Sequence, residues 1–439
     1  MNGNKLVVIS MDALVQQDLE LMKNMPAFKY LLENGSYVKD FRSIYPTLTY
    51  PCHITMSTGC YPAKHGITGN EEIIQEPGKD PYLKWMHYHD KVKCEDIIDV
   101  CKKAGLSTSV IGWPVSGCHP NADYLVDEAW PENKADYGNP EAWKEAYLKT
   151  GTPQWLFDEV VADKLYMRVG KKQPASSYFL VRVAADIIRK YTPDIMIIHV
   201  GNVDAFRHSS GVFSETVKRT LCDTDAMMTM LFDAARDAGI FDKMNFVVTS
   251  DHGQITTSRN ILPNVLLKEH GLIETDNNGN LKSWKAICLP TGMSAQIHVK
   301  DRADVPKVYS ILKEAEKSGL HGFEKVYTKE EVLMSEGLGG DFDFILETDN
   351  VSHFGFGWRG AESTAYPMGL YEVEKGAHGF HPDKGPRPVF IACGPDIEKG
   401  TVIEHARLVD GAPTYAKIMG VQLKNADGAA IDILRKQRG

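Results

Sequence analysis

No stretch of this 439-residue chain is both long and apolar enough to span a membrane. The first apolar run, Leu6-Val7-Val8-Ile9, is also too short for a signal peptide, so the expectation is a cytoplasmic protein without a membrane span. Cysteine is sparse and unpatterned. Cys52, Cys60, Cys94, Cys101, Cys118, Cys222, Cys288 and Cys393 form no CxxC pair, which argues against a disulfide framework and for buried free thiols. Positive charge is not in excess: 49 Lys and Arg stand against 58 Asp and Glu, net -9. A nucleic-acid polymer, which needs a strong basic face, is therefore not expected as a partner. A phosphate substrate stays open, because bound metal ions reverse the local field. Repeats and low-complexity tracts are absent.

What is present is ordinary for a globular enzyme: 43% hydrophobic and 24% charged residues. The length calls for two or three domains, or one large domain with insertions. Short apolar runs end in acids. Leu6 to Ser10 precedes Asp12, Ile195 to Val200 precedes Asp204, and Asn245 to Thr249 precedes Asp251-His252. Ser107 to Ile111 and Val389 to Ala392 are weaker members. Helical patterns at Tyr178 to Lys190 and Leu221 to Ala238 alternate with them. Such alternation predicts a mostly parallel sheet covered on both faces, with ligands bound beyond the carboxyl ends of its strands. The texture changes near Ile261. Ser294 to Val299, Gly322 to Tyr327 and Phe342 to Leu346 read as strands, and a helix starts near Asp304 and Pro306. The chain is thus divided into a core of residues 1–260 and 372–439 and an inserted α+β subdomain of residues 261–371. Trp130 to Leu165 is read as a helical flap.

Asp12, Asp204, His208, Asp251, His252 and His378 are candidate metal ligands of the nitrogen and oxygen type that suits Zn2+. Asp204 and His208 are four apart and converge on one side of a helical turn. Asp251 and His252 are adjacent at a strand end, and His378 lies in a Gly-Ala-His-Gly loop. Singly each has a bland reading as a cap, core or surface residue; jointly at strand ends they are a site.

The stretch Tyr45-Pro-Thr-Leu-Thr-Tyr-Pro-Cys-His53, continuing to Thr58-Gly-Cys-Tyr-Pro-Ala-Lys-His-Gly-Ile-Thr-Gly-Asn70, resembles the nucleophile segment of the nucleotide pyrophosphatase/phosphodiesterase family of the alkaline phosphatase superfamily. Asp12, Trp113-Pro114, Asp204 with His208, Ser250-Asp-His-Gly253, Gly376-Ala-His-Gly379 and Phe390-Ile-Ala-Cys-Gly-Pro395 follow the family's order. The resemblance implies an alkaline-phosphatase-like α/β fold, a mostly parallel sheet sandwiched by helices. It implies Thr49 as nucleophile, with Thr47 as the competitor that the family's spacing disfavours. It implies two Zn2+, one on Asp12, Thr49, Asp251 and His252 and one on Asp204, His208 and His378. Asn70 and the Tyr50 N–H would hold a non-bridging phosphate oxygen.

An aliphatic hydroxyl needs activation to attack phosphorus, and two cations roughly 4 Å apart serve both attacking and leaving oxygens. A neutral amide at Asn70 suits a monoanionic diester, whereas a dianionic monoester calls for an arginine. Arg207, beside His208, is expected to be solvated. Two positions depart from the family: Cys52 stands where Asn is common, and Tyr50 replaces Phe. Cys52 is expected to be an inert small hydrophobe. Tyr50 and Trp113 are candidates for the substrate face, with Trp85, His87 and Tyr88, against the ordinary reading of such aromatics as core. The expected substrate is a small phosphate diester or pyrophosphate, nucleotide-type first. Other chemistries of the superfamily (phosphonate, phosphomonoester, choline phosphodiester, mutase) and a non-catalytic metal or nucleotide binder stand as alternatives. A sulfatase would need a Cys/Ser-x-Pro-x-Arg segment at the nucleophile, and none stands there. Oligomeric state is left open.

Overall fold

The computed structural model describes residues 3–76, 79–168, 170, 172–360, 363–365 and 375–435. Eight strands form the central sheet: β1 (Lys5–Met11), β2 (Gly35–Arg42), β3 (Thr108–Ile111), β4 (Tyr124–Val126), β5 (Ile195–Val200), β6 (Met244–Thr249), β7 (Phe390–Cys393) and β8 (Val402–Arg407). Their order is β8-β2-β7-β6-β1-β5-β3-β4. All pairings are parallel except those of β7, which runs against β2 and β6.

The continuous apolar runs are explained by burial on both faces. Every residue of β5 and β6 is buried, whereas the edge strand β8 is largely exposed. Along β1, Val7, Ile9 and Met11 enter one core, while Leu6 and Val8 enter the other. The first core is closed by the amphipathic helices α2 (Ala175–Tyr191) and α4 (Glu215–Asp237), the second by Tyr415, Ile418 and their neighbours. The segment expected as a flap is helical but belongs to the first core. Trp143, Tyr147, Leu156, Phe157, Val160 and Val161 are buried there, so Trp143, Tyr147 and Phe157 serve packing in that core, whereas Trp155 is exposed.

The described part of residues 261–371 carries a four-stranded antiparallel sheet, in the order Ala286–Pro290, Ser294–Val299, Phe344–Thr348, Phe323–Thr328. The helix Val305–Ser318 lays Val308, Ile311, Leu312 and Ala315 on it, forming a separate core cluster. Asp304 precedes this helix without a side-chain capping bond; Asp301 caps the turn before it instead. The 371/372 boundary lies outside the described residues. Among the described residues no helix is long and apolar enough to cross a membrane.

Candidate active site

The site forms where the three adjacent strands β6, β1 and β5 end. Asp12 directly follows β1, and its N–H continues the ladder to Val200 O at 2.9 Å. Asp251 and His252 follow β6. Asp204 stands in the first turn of α3 (Asn202–Ser210), and His208 one turn later reaches it, Nε2 to Asp204 Oδ1, at 3.2 Å. His378 Nε2 is 3.7 Å from the same oxygen. Its loop depends on Gly379, whose φ is +96° and where a Cβ would lie 1.9 Å from Thr291 O. Only glycine passes there without strain.

On the other side, His252 Nε2 lies 3.1 Å from Asp251 Oδ2 and 3.5 Å from Asp12 Oδ1. Thr49 is the first residue of α1 (Thr49–Thr58), and its hydroxyl oxygen is 3.3 Å from His252 Nε2. The two groups adjoin, with the rings of His252 and His378 stacked at 3.9 Å. Asp204, His208 and His378 offer donor atoms mutually close enough for one ion, and so do Asp12, Asp204 and His252.

The donor chemistry fits cations. Asp251 Oδ1 accepts the Ala13 and His252 N–H groups, while Oδ2 is buried and takes no hydrogen bond. Asp12 Oδ2 faces His199 Nε2 at 3.1 Å, while Oδ1 is likewise buried and unserved. Unmet carboxylate oxygens at this depth are costly without a positive partner. His208 Nδ1 points at Gly376 O at 2.7 Å and His378 Nδ1 at Thr47 O at 3.1 Å, leaving each Nε2 directed inward. That is the usual arrangement of metal-binding imidazoles. Burial and the charge of Asp251 drive the Asp12 carboxyl well above the carboxylate range. Burial lowers His378 to about 3, so its ring is neutral and able to ligate.

A second gathering of His89, Asp96, Asp99 and His119 has a different character. Asp96 and Asp99 form a reciprocal capping box at the start of helix Ile97–Lys103. The Asn121 N–H donates to His119 Nδ1, which places the ring proton on Nε2, donated to Asp96 Oδ2 at 3.0 Å. With its Nε2 protonated, His119 serves the helix cap.

Asn70 and Tyr50, expected to share a phosphate oxygen, are neighbours. The Tyr50 N–H donates to Asn70 Oδ1 at 2.9 Å. Leu48 at the N-cap supplies no capping side chain to α1. Thr47 is held elsewhere: its hydroxyl donates to Phe380 O at 2.8 Å and accepts from the Gly379 N–H at 3.1 Å. Cys52 is buried, and burial raises its thiol pKa, as an inert hydrophobe requires.

One expectation is corrected. Arg207 is not solvated. It is fully buried, paired with Asp18 at 2.5 Å and bonded to the carbonyls of Ala13 and Val212, because it lies on the same inward face of α3 as Val203. Trp113, offered with Tyr50 for the substrate face, is buried, as is Tyr50 itself. Trp113 is only 2% exposed and packs in the core with its ring edge on to His53 at 4.9 Å. The aromatic beside Tyr50 is Trp85, 37% exposed at 5.2 Å, with Trp130 next to it. Tyr50 in turn donates its hydroxyl to Glu128 at 3.1 Å.

Sequence reasoning missed His199, Glu128 and Gln254, whose amide donates to Asp204 Oδ1 at 2.5 Å. A lone histidine inside the apolar run Ile-Met-Ile-Ile-His-Val was the available signal for the first. Nothing local marks the other two.

The family model described as type I phosphodiesterase / nucleotide pyrophosphatase matches residues 6–356. Human ectonucleotide pyrophosphatase/phosphodiesterase family member 1 is 25% identical over 231 residues, 52% of this chain and 21% of that protein. Venom phosphodiesterase 2 of Crotalus adamanteus is 24% identical over 257 residues, 56% of this chain and 26% of that one. The match therefore spans about a fifth to a quarter of these relatives. Among solved structures, murine ectonucleotide pyrophosphatase/phosphodiesterase 5 superposes with TM-score 0.66 at 19% identity, covering 98% of this chain and 100% of that one. An inactive form of the same murine protein in complex with AMP gives 0.68 at 18% identity, with the same coverage. At such identities the likeness establishes the fold, the alkaline-phosphatase-like α/β sandwich.

Proposed function

Because this chain belongs to the type I phosphodiesterase / nucleotide pyrophosphatase family, we propose that it is a metal-dependent phosphodiesterase working through a phospho-threonine intermediate on Thr49. Its substrates are phosphate diesters or pyrophosphates, nucleotide-type first. Asp12, Thr49, Asp251 and His252 would hold one Zn2+, and Asp204, His208 and His378 the other. When bound, such ions stabilise the threonine alkoxide and the leaving oxygen.

The observation that carries this reading is the placement of Thr49. Its hydroxyl stands at the mouth of a helix N-terminus and 3.3 Å from His252 Nε2, beside two groups of inward-facing donors. Thr49 gives its hydroxyl proton to solvent, Oγ1 attacks phosphorus, and the bond from phosphorus to the leaving oxygen breaks. The leaving oxygen takes a proton from solvent. Water then cleaves the Thr49 ester, releasing the phosphate monoester and restoring the hydroxyl. The Asn70 amide NH2 donates to a non-bridging oxygen, helped by the positive end of α1, and the Tyr50 N–H joins it by exchanging Asn70 Oδ1 for that oxygen. Three aspartates, one alkoxide and two divalent cations sum to zero formal charge, so a monoanionic diester is the better guest. The burial of Arg207 against Asp18 supports the same preference, because that guanidinium is committed away from the site.

The test is hydrolysis of p-nitrophenyl thymidine monophosphate by the purified chain. EDTA should stop it, and Thr49→Ala should lower turnover by orders of magnitude. An unimpaired Thr49→Ala enzyme overturns the mechanism. A panel of diester, monoester, phosphonate and sulfate substrates separates this activity from the others of the superfamily.

A further inference from the structure

His199 is a polar residue inside β5, flanked by Ile195, Met196, Ile197, Ile198 and Val200 and only 5% exposed. An imidazole in a strand covered on both faces is costly unless its nitrogens are served. Here both face oxygens: Nε2 lies 3.1 Å from Asp12 Oδ2 and Nδ1 lies 3.2 Å from Gly112 O. The parallel register sets His199 beside Ser10, two residues before Asp12. His53 packs edge-on against its ring at 4.4 Å and anchors itself on the Thr49 carbonyl at 2.7 Å.

The two buried aspartates are thus treated alike by different means. Asp251 has one oxygen held by two backbone N–H groups and the other turned toward His252. Asp12 has one oxygen held by His199 and the other turned toward His252. Where Asp251 draws on the backbone, Asp12 draws on a side chain.

We propose that His199 is a positioning residue. By donating its Nε2 proton to Asp12 Oδ2, it fixes that carboxylate as a one-oxygen ligand for the ion on Asp12, Asp251 and His252. The proposal rests on the metal-dependent reading above. Without His199 the carboxylate is free to rotate, and both its oxygens compete for the ion. Removing such an outer partner typically costs about ten- to a hundredfold in metal affinity.

The experiment loads the full chain with Zn2+, counts bound ions, and titrates them against a chelator of known affinity. Three substitutions separate the causes. His199→Phe keeps a flat ring and removes both ring nitrogens. His199→Gln places an amide near the Nε2 position, within reach of Asp12. His199→Asn places it near Nδ1, facing Gly112 and out of reach of Asp12. The expected result is that the Phe and Asn proteins bind one of the two ions about ten- to a hundredfold more weakly, while the Gln protein recovers most of the loss. The second ion keeps its parental affinity in all three. Melting in EDTA should be alike for Asn and Gln, which a purely structural role would not combine with different ion affinities. The inference is overturned if the Phe protein holds both ions as tightly as the parent, or if Asn and Gln bind equally. Fewer than two ions on the parent chain would instead refute the two-metal reading, a separate outcome.

Discussion

Thr49 Oγ1 lies 3.3 Å from His252 Nε2, although 203 positions separate the two residues in the chain. The pairing exists because α1 begins beside the carboxyl end of β6. Thr47, two positions earlier, has its hydroxyl consumed by the His378 loop. Thr49→Val should therefore abolish turnover and leave unfolding nearly unchanged. Thr47→Val should cost only about 1 kcal/mol of stability and spare most activity, since the Gly379 N–H and the Phe380 C=O keep their backbone bonds to Thr47 when its hydroxyl is lost. Steady-state kinetics and urea unfolding of both proteins decide the assignment, and an inactive but stable Thr47→Val protein would reverse it.

Gly379→Ala should damage the site through the backbone alone. The added Cβ meets the Thr291 carbonyl, at a φ that L-residues avoid. His378 is displaced with its neighbour, so the variant should lose affinity for the ion on Asp204, His208 and His378 as well as activity. Metal titration is the measurement; undiminished binding of both ions would show that the loop tolerates a side chain.

Trp85 and Trp113 should separate substrate recognition from packing. Trp113→Ala empties a buried core position and should cost about 3–5 kcal/mol. Trp85→Ala should change stability little and raise KM for a diester with an aromatic leaving group, because Trp85 is partly exposed against Tyr50. An unchanged KM removes Trp85 from the substrate face.

Arg207→Met should be among the most destabilising single changes. It leaves Asp18 buried, 3% exposed, without its guanidinium partner, for which about 3–5 kcal/mol is typical. Adding Asp18→Asn should recover part of the loss. Urea midpoints of the single and double variants check both statements.

Asp127 makes stability depend on pH. Burial raises its carboxyl to about 7, against a lowering by the Ser116 hydrogen bond. A carboxyl raised on folding contributes stability that is whole below the ordinary carboxylate value and lost as pH rises through the folded value, here between about 4 and 7. The full loss is on the order of 4 kcal/mol. Asp127→Asn should therefore gain on the parent between pH 5 and pH 8, as read from urea unfolding at both values. A parent and variant that keep a constant difference over that range would contradict the shift.

The sequence by itself determined the strands and the acids at their ends, because a strand covered on both faces must be apolar throughout and its polar residues collect where it stops. It also determined the candidate donor types and the Asp204–His208 pair, since helical spacing brings them together wherever the helix lies. Tertiary structure decided the rest. Whether Arg207 met water or Asp18, and whether Trp113 met substrate or His53, depended on which way α3 and the Trp113 turn face, and periodicity does not encode that. The supports of the site were decided there too. Gln254 reaches Asp204 and His199 reaches Asp12 across strand registers and loop closures spanning 50 and 187 residues. A hydrogen bond of that kind leaves no mark on neighbouring positions, so it becomes legible only when the sheet has brought its partners side by side.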